Sequence, residues 1–201
     1  DIACFSFDGI KNITSGEGGC IVSDDVMIIE KVKDSRLLGV QKDSEKRYAR
    51  DRSWDFDVSS QGWRYHMSNI MAAIGLVQLE NYFDMAKKRQ RIALSYDHFF
   101  SDHKAINTIP HDYSEVVPHI YVVRISDMKN RNLLREKMLK LGIPTGVHYQ
   151  PNHLLSFYKQ KNISSLPVTD AIFPGLLSLP LHPGLNDKDV SYISKSLLDL
   201  V

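Results

Sequence analysis

One lysine stands between a short apolar strand and a glycine-rich loop, a position that suggests covalent carbonyl chemistry. The segment Cys4–Phe7 predicts a strand in which Ser6 points away from both phenylalanines. Lys11 follows after a turn, and the loop Gly16–Gly19 leads into a second apolar segment, Cys20–Val22. Glycines allow a close approach of the backbone to a ligand, and their N–H groups can bind an anion. A partly desolvated amine is a good nucleophile, although these residues alone also fit a solvated surface lysine.

The complete string is more specific than its parts. Phe5-Ser6-Phe7, Lys11 and Gly16-Glu17-Gly18-Gly19 resemble the Schiff-base lysine segment of the DegT/DnrJ/EryC1/StrS family, the sugar aminotransferases that use pyridoxal 5'-phosphate (PLP). The resemblance implies that PLP is the cofactor and that Lys11 is the catalytic residue that binds it. It also implies that Ser6 contacts the cofactor phosphate.

Three further segments resemble signatures of the same family, and they follow in the family's order. These segments are residues 62–76, residues 141–153 and residues 178–183. A single match of this kind would carry little weight, because each segment is short. Four matches in the correct order extend the resemblance over essentially the whole chain.

The second signature departs from the family pattern at one position. The family usually has an asparagine after the Gly-aromatic pair, and that asparagine reaches across a dimer interface to the PLP phosphate of the partner subunit. Here the position is Arg64, and the nearby polar residue is His66. Both are therefore candidate cofactor contacts, since a guanidinium group binds phosphate well. A structural ion pair is the open alternative for Arg64.

The third signature supplies candidate substrate contacts. By resemblance, His148, Tyr149 and His153 lie on the substrate side of the site, near the nucleotide sugar. The alternative is that the histidines are satisfied structural residues at a strand end. No two of the eight histidines have the spacing of metal ligands on one helical turn, so we predict no metal site.

The resemblance implies an α/β fold, namely the C-terminal part of a fold-type-I PLP-dependent aminotransferase. Residues 1–100 would form the C-terminal part of the large PLP-binding domain, including a long helix, and residues 101–201 the small C-terminal α/β domain. In the family, the acidic partner of the pyridinium nitrogen and the aromatic residue on the ring lie upstream of Asp1. We therefore expect residues 1–201 alone to bind PLP poorly.

Local patterns in the first half predict two helices and one strand besides the lysine segment. Asp24 and Asp25 are capping residues for a helix over residues 26–38. Residues 54–58 alternate apolar and acidic side chains, which is typical of a strand with one buried face. Ser68 caps a helical pattern over residues 69–100, whose length predicts a kink or break.

Local patterns in the second half predict a strand, a helix and another strand, the order of a small α/β layer. The strand covers residues 120–125, the helix runs through residues 134–141, and the second strand ends at residues 147–149. Residues 166–183 show no clear period, apart from a possible short helix. Asn186 caps a last helix, whose apolar face is marked by Val190, Ile193, Leu197 and Val201.

Composition limits the partners that the chain can be expected to bind. It has 201 residues, 43% of them hydrophobic and 24% charged, which suits one or two globular domains. The net charge of +1 implies neither nucleic acid nor a membrane surface as a partner, and no apolar run is long enough to span a bilayer. Cys4 and Cys20 lie on predicted buried strands and are interpreted as core residues, which favours a cytoplasmic setting.

The resemblance implies an aminotransferase that converts a nucleotide-linked keto-sugar to an amino sugar, with glutamate as the amino donor. Such an enzyme serves polysaccharide, lipopolysaccharide or amino-sugar biosynthesis, and it is a homodimer with a shared active site. One alternative is a PLP-dependent sugar dehydratase, which in this family has histidine where Lys11 stands. Another is a non-catalytic domain of the same fold that binds a nucleotide sugar or a partner protein. A plain α/β scaffold is the third.

Overall fold

The chain contains both helices and short strands, as the α/β prediction requires. The computed structural model describes residues 1–41, 49, 56–159 and 166–201. The chain divides into two units, Asp1–Tyr82 and Phe83–Val201. The second part of the long helical pattern therefore belongs to the second unit.

The first unit begins with a two-stranded antiparallel ribbon. Strand β1 (Ala3–Ser6) pairs with β2 (Gly19–Val22), with Cys4 opposite Ile21 and Phe5 opposite Cys20. Both strands are confirmed. The expected burial of the two cysteines is wrong, because both are exposed and no described element covers either face of the ribbon.

Helix α1 (Val26–Ser35) begins where predicted and ends earlier. Asp25 is its N-cap, and its carboxylate accepts hydrogen bonds from the N–H groups of Met27 at 2.9 Å and Ile28 at 3.4 Å. The helix ends early because Leu38 and Gly39 adopt left-handed φ values of 64° and 75°.

The strand predicted over residues 54–58 is not present in the part that the structure describes. Trp54 and Asp55 lie outside the described residues. Phe56 and Val58 are exposed rather than buried, and Val58 forms only an isolated bridge with Val40. The prediction of a buried face from the alternating side chains was wrong, because no described element packs over Phe56 and Val58.

The long helical pattern forms two helices, so the predicted break is confirmed. Helix α2 (Asn69–Glu80) begins after the N-cap Ser68, whose hydroxyl accepts from the Met71 N–H at 3.3 Å. Helix α3 (Tyr82–Phe100) follows directly. The break lies at Asn81, whose side-chain amide donates to the Val77 carbonyl at 2.8 Å.

The second unit contains a three-stranded antiparallel sheet in the order β3-β4-β5. Its strands are β3 (Ile106–Thr108), β4 (Tyr121–Ile125) and β5 (Leu176–Leu179). Strand β4 confirms the expected strand near residues 120–125, and burial alternates along it. The other two strands were not predicted from the sequence. The strand expected to end at residues 147–149 is reduced to one bridge between Gly146 and Ser178.

In the part of the second unit that the structure describes, four helices follow β4. These are α4 (Arg131–Lys140), α5 (Ser156–Lys159), α6 (Pro167–Ile172) and α7 (Asp187–Leu198), with 3-10 turns at Asn152–Leu154 and Phe173–Gly175. Gly142, with φ 76°, follows the end of α4 as expected. Asn186 and Asp189 form a full capping box at α7, which confirms the predicted start. Val201 lies beyond this helix and is exposed, so its place on the apolar face is wrong.

The core of the second unit lies between its sheet and its longer helices. Its largest fully buried side chains come from α3, α4, α7 and the strands β4 and β5. They are Tyr96, Phe100, Ile92, Met138, Leu177, Leu197, Val123 and Val190. Within the described ranges, no helix is long and apolar enough to cross a membrane.

Three buried tyrosines, Tyr96, Tyr113 and Tyr121, hydrogen-bond to polar groups at the edge of this core. Tyr121 and Tyr113 both hydrogen-bond to the Asp97 carboxylate, and the Tyr96 hydroxyl donates to the Pro180 carbonyl at 2.9 Å. Burial raises the pKa of all three phenols, and the negative charge of Asp97 adds to this for Tyr113 and Tyr121. The pKa of Tyr113 is raised to about 12.

Alkaline pH should therefore destabilise the second unit. A phenol in an unfolded chain has a pKa of about 10, whereas these remain protonated at higher pH in the folded state. Their contribution to the free energy of unfolding is complete below about pH 10 and is lost as the pH rises through the folded pKa values. Urea unfolding at increasing pH should show this decline, and Tyr113→Phe should make it shallower.

Tyr192→Phe is the matched control, because Tyr192 is half exposed in the same unit. It should leave the alkaline slope of the wild type unchanged. A free energy of unfolding that stays constant from about pH 10 to about pH 12 would contradict the role of the tyrosine cluster.

Candidate functional site

The loop that carries Lys11 is closed at Phe7. The Phe7 N–H donates to the Gly18 carbonyl at 2.9 Å, which extends the pairing beyond β1 and β2. The Phe7 carbonyl accepts from the Ser15 N–H at 3.0 Å and from the Thr14 hydroxyl at 3.2 Å. The returning side of the loop is thus held at two points by the backbone of one residue, Phe7.

Within the loop, a tight turn sets the backbone of Lys11. Its N–H donates to the Asp8 carbonyl at 3.0 Å, and the Asp8 N–H in turn donates to the Ser6 hydroxyl at 3.3 Å. Lys11 is half-buried, and its ammonium makes no ion pair with any residue that the structure describes. Ser6 ends β1 and is exposed. The amine and the hydroxyl thus belong to one short turn, and no described carboxylate neutralises the amine.

The glycines that follow Lys11 are required by close contacts. Gly16 and Gly18 have φ values of 83° and 137°, which other residues rarely adopt. A Cβ on Gly19 would lie 2.5 Å from the Phe5 carbonyl oxygen, and one on Gly18 would lie 2.6 Å from the Met67 side chain. The residues that lead into α2 therefore pack directly on the loop.

The fully buried Ser15 stabilises the same loop from inside. Its hydroxyl donates to the Glu17 carbonyl at 2.6 Å. It also lies under α2, since a Cβ on Gly75 would meet the Ser15 Cβ at 3.5 Å. Gly75 has no side chain, and this contact is the packing that its size permits.

The second signature is anchored to the end of α1. The Trp63 N–H donates to the Ser35 carbonyl at 2.7 Å, and the Tyr65 N–H donates to the Arg36 carbonyl at 2.9 Å. Arg64 lies between them with an exposed side chain that makes no ion pair with a described residue. The structural ion pair considered for Arg64 is therefore not formed within the described residues.

His66 follows in the same segment and is half-buried. Its Nδ1 atom is buried and has no hydrogen-bond partner among the described residues. A buried polar atom without a partner is costly, so His66 has capacity for one more hydrogen bond. An exposed guanidinium and an unsatisfied imidazole thus stand two residues apart.

His148 is held on the edge of the sheet in the second unit. Its Nδ1 lies 2.8 Å from the Ser178 hydroxyl, and its ring contacts the ring of Tyr149 edge-on at 4.8 Å between centroids. A Cβ on Gly146 would lie 2.7 Å from the His148 ring. The peptide bond between His148 and Tyr149 is cis, and the Tyr149 side chain is exposed.

His153 pairs with a carboxylate. Its Nε2 lies 2.7 Å from Asp170 Oδ1, and its side chain is largely buried, whereas that of Asp170 is half exposed. Its Nδ1 is buried and makes no hydrogen bond with a described residue. Both histidines of the third signature are therefore partnered at one nitrogen by a residue of the segment after residue 165.

The structure distributes the sequence-predicted residues over the two units. Lys11, Ser6, Arg64 and His66 lie in the first unit, and His148, Tyr149 and His153 lie in the second. Sequence analysis did not assign Ser15, Asp170 or the pairing of Ser178 with His148. Ser178 stood in the fourth signature, which was a usable signal, whereas nothing in the sequence marked the other two. Among the described residues, no group of three or more His, Cys, Asp or Glu could hold a metal ion.

Comparison with known proteins gives this geometry its context. The profile of the DegT/DnrJ/EryC1/StrS aminotransferase family matches residues 1–198. The chain belongs to this family. Its members use PLP, and solved structures similar to this chain include a PLP form and a PMP form of one putative sugar aminotransferase. The chain has the α/β fold of the C-terminal part of these enzymes.

Three relatives illustrate how far the family likeness extends. The UDP-4-amino-4,6-dideoxy-N-acetyl-beta-L-altrosamine transaminase of Campylobacter jejuni is 32% identical, over 100% of this chain and 52% of its own length. A putative sugar aminotransferase from Streptococcus pneumoniae in its PMP form is 31% identical, with a TM-score of 0.88, over 100% of this chain and 53% of that one. PseC of Helicobacter pylori, an aminotransferase involved in the biosynthesis of pseudoaminic acid, is 30% identical, with a TM-score of 0.89. The match covers 99% of this chain and 53% of that one. The chain thus spans about half the length of the family members it matches.

The residues present fit the family's cofactor. Lys11 has the primary amine that the aldehyde of PLP would need, and the Ser6 hydroxyl, the Arg64 guanidinium and the unsatisfied His66 nitrogen would be suitable donors for its phosphate. The glycines of the loop leave its backbone without side chains at Gly16, Gly18 and Gly19, where a Cβ at Gly19 would meet the Phe5 carbonyl. The donor set and the glycine loop are therefore compatible with PLP.

Gly19→Ala should destabilise the loop around Lys11. The new methyl group would overlap the Phe5 carbonyl oxygen, so the two strands must move apart. Overpacking of this kind costs about 1–3 kcal/mol in the free energy of unfolding, which urea denaturation of the full-length protein would measure.

Gly9→Ala is the matched control, because a Cβ at Gly9 meets nothing within 4 Å and the loop is otherwise the same. It should unfold like the wild type. Equal stability of both variants would show that the contact between Gly19 and Phe5 does not constrain the ribbon.

Proposed function

We propose that the protein is a PLP-dependent aminotransferase that converts a nucleotide-linked keto-sugar to an amino sugar, with glutamate as the amino donor. The observation that carries this proposal is the Lys11 loop. A lysine amine without a described ion-pair partner stands on a loop closed by Phe7 and Gly18, in a chain whose relatives are named sugar aminotransferases. Lysine rather than histidine at this position favours transamination over dehydration.

Lys11 has two roles in the proposed reaction. Its Nζ binds the cofactor aldehyde, and the free amine later takes a proton from the substrate carbon that bears nitrogen. PLP supplies the electron sink for this chemistry. The hydrogen bond from the Lys11 N–H to Asp8 fixes the backbone from which the side chain extends. The chain therefore contributes the base, the Lys11 amine, and the backbone that positions it.

The cofactor phosphate is the proposed partner of the polar groups around the first unit's loop. Ser6 donates a hydroxyl, and Arg64 with His66 supplies charged or polar donors, either within one chain or across a homodimer interface, as the family pattern suggests. Arg64 is exposed and has no described ion-pair partner, which leaves its charge available. A guanidinium group matches phosphate geometry better than the asparagine amide that it replaces.

The substrate side is assigned to His148, Tyr149 and His153. Each histidine has one nitrogen held by the protein, so each ring has a defined orientation. The exposed Tyr149 ring provides a surface for the sugar or the nucleotide. We place the enzyme in the cytoplasm, in the synthesis of amino sugars for polysaccharide or lipopolysaccharide, since one relative is named as a spore coat polysaccharide biosynthesis protein.

Covalent attachment of PLP to Lys11 is the central test. The full-length protein is loaded with PLP, reduced with borohydride and digested, and the modified peptide is identified by mass spectrometry. The label should lie on Lys11. Lys11→Ala should abolish amino transfer from glutamate and from UDP-4-amino-4,6-dideoxy-N-acetyl-beta-L-altrosamine, because no base remains.

Lys31→Ala is the matched control, since Lys31 is an exposed lysine of α1 in the same unit. It should retain labelling and turnover. Label on another lysine, or turnover that survives Lys11→Ala, would overturn the assignment. If the protein binds the sugar nucleotide but no lysine carries reduced PLP, the result would instead support the non-catalytic domain of the same fold.

Arg64→Ala tests the phosphate assignment. A charge-assisted hydrogen bond contributes about 1.5–3 kcal/mol, so the Kd for PLP should rise about 10-fold or more. Spectroscopic titration of the full-length apoenzyme with PLP would measure this change. Arg91→Ala is the control, because Arg91 forms only an exposed ion pair with Asp187 at 3.7 Å. The same Kd in all three proteins would rule out Arg64 as a phosphate ligand.

A further inference from the structure

The His148 ring is fixed from three sides. Its Nδ1 lies 2.8 Å from the hydroxyl of Ser178, and the Tyr149 ring contacts it edge-on. Gly146 lies beneath it so closely that a Cβ there would come within 2.7 Å of Cε1. The ring therefore has little freedom to turn, and its remaining nitrogen, Nε2, makes no hydrogen bond with a described residue.

Ser178 itself cannot move to accommodate another arrangement. It lies in β5, where its residue is 4% exposed. Its backbone N–H and carbonyl exchange two hydrogen bonds of 2.9 Å with Gly146, and its register partner on β4 is Val122. The same Gly146 thus supports both the strand that carries Ser178 and the ring that Ser178 contacts.

The burial of Ser178 determines which way the hydrogen bond runs. A buried hydroxyl needs an acceptor for its proton, and His148 Nδ1 is the acceptor that the described residues offer it. If Nδ1 carried the proton instead, the Ser178 proton would have no partner. Because the bond at one ring nitrogen sets the tautomer, Nδ1 accepts and Nε2 carries the hydrogen in the neutral ring.

We propose that Ser178 is a positioning residue that fixes His148 as an Nε2–H donor toward an anionic oxygen of the substrate, namely the diphosphate of the nucleotide sugar. This inference rests on the proposed function for the identity of the ligand. The shared chemistry is an oxyanion acceptor, which the carboxylate of glutamate could also supply. Gly146 serves the same purpose, since its lack of a side chain leaves room for the ring, which a Cβ there would meet at 2.7 Å.

Two variants disturb the ring by independent routes. Ser178→Ala removes the hydroxyl with almost no change in volume, and Gly146→Ala pushes against Cε1 while the hydroxyl remains. Ser194→Ala is the matched control, because Ser194 is a fully buried serine of α7 whose hydroxyl has no hydrogen-bond partner among the described residues. All variants are made in the full-length holoenzyme.

The two half-reactions separate the possible sources of the oxyanion. One is amino transfer from glutamate to the bound cofactor, and the other is transfer from UDP-4-amino-4,6-dideoxy-N-acetyl-beta-L-altrosamine, both followed by cofactor absorbance. We expect Ser178→Ala and Gly146→Ala to lower kcat/KM for the sugar nucleotide about 3- to 10-fold, mainly through KM, as loss of one neutral hydrogen bond implies. The rate with glutamate and both rates of Ser194→Ala should stay at the wild-type value. Inhibition by UDP alone should weaken in parallel with the sugar nucleotide.

Nitrogen NMR of the His148 ring tests the tautomer without any turnover. The wild type should show an Nε2–H ring whose Nδ1 accepts a hydrogen bond, and Ser178→Ala should lose the acceptor shift at Nδ1. A wild-type ring protonated at Nδ1 would overturn the proposal. Losses confined to glutamate would overturn the diphosphate assignment, and equal losses with both substrates, or none, would overturn the positioning role. A wild type that reacts with neither substrate would instead refute the proposed function. In that case the tautomer of His148 in the NMR spectrum, together with the affinity of wild type and Ser178→Ala for UDP, would still decide the role of Ser178.

Discussion

The backbone of Phe7 is the constraint on which the placement of Lys11 depends. Its N–H donates to the Gly18 carbonyl and its carbonyl accepts from the Ser15 N–H, so the returning segment is held at two points. These two hydrogen bonds restrict the loop and lower the conformational entropy that ligand binding would have to remove. The glycines follow from this closure, since the returning strand passes too close to Phe5 for a side chain at Gly19. The Lys11 side chain thus extends from a backbone whose geometry is fixed by local hydrogen bonds.

The two units bury their apolar side chains to very different extents. The second unit has a continuous core between its sheet and helices, and even its buried Arg89 donates to the Leu181 carbonyl at 3.1 Å. In the first unit, α2 is apolar on most of its surface but has no buried residue. Helices of that composition are ordinarily buried. The family members that the chain matches are about twice as long, and the chain corresponds to their C-terminal part.

Sequence analysis succeeded where a structural signal is local. The caps Asp25, Ser68 and Asn186 were predicted because a capping side chain bonds to N–H groups only two or three residues away. The strands β3 and β5 were missed because three or four residues are too few to show a period. The burial of Cys4 was wrong because an apolar strand is buried only if another element covers it.

The residues of the candidate site likewise fall into those that local sequence identified and those that it did not. Lys11 and Ser6 were identified from one contiguous string, and so was the segment around His148. The partners that orient the histidines were not, because Ser178 is 30 residues from His148 and Asp170 is 17 residues from His153. No spacing rule links such pairs.

The register of β1 and β2 has a consequence for the two cysteines. Cys4 lies opposite Ile21 and Cys20 lies opposite Phe5, so the two thiols project from opposite sides of the ribbon. Oxidants could modify either sulfur, but no bond could join the two while the strands stay paired.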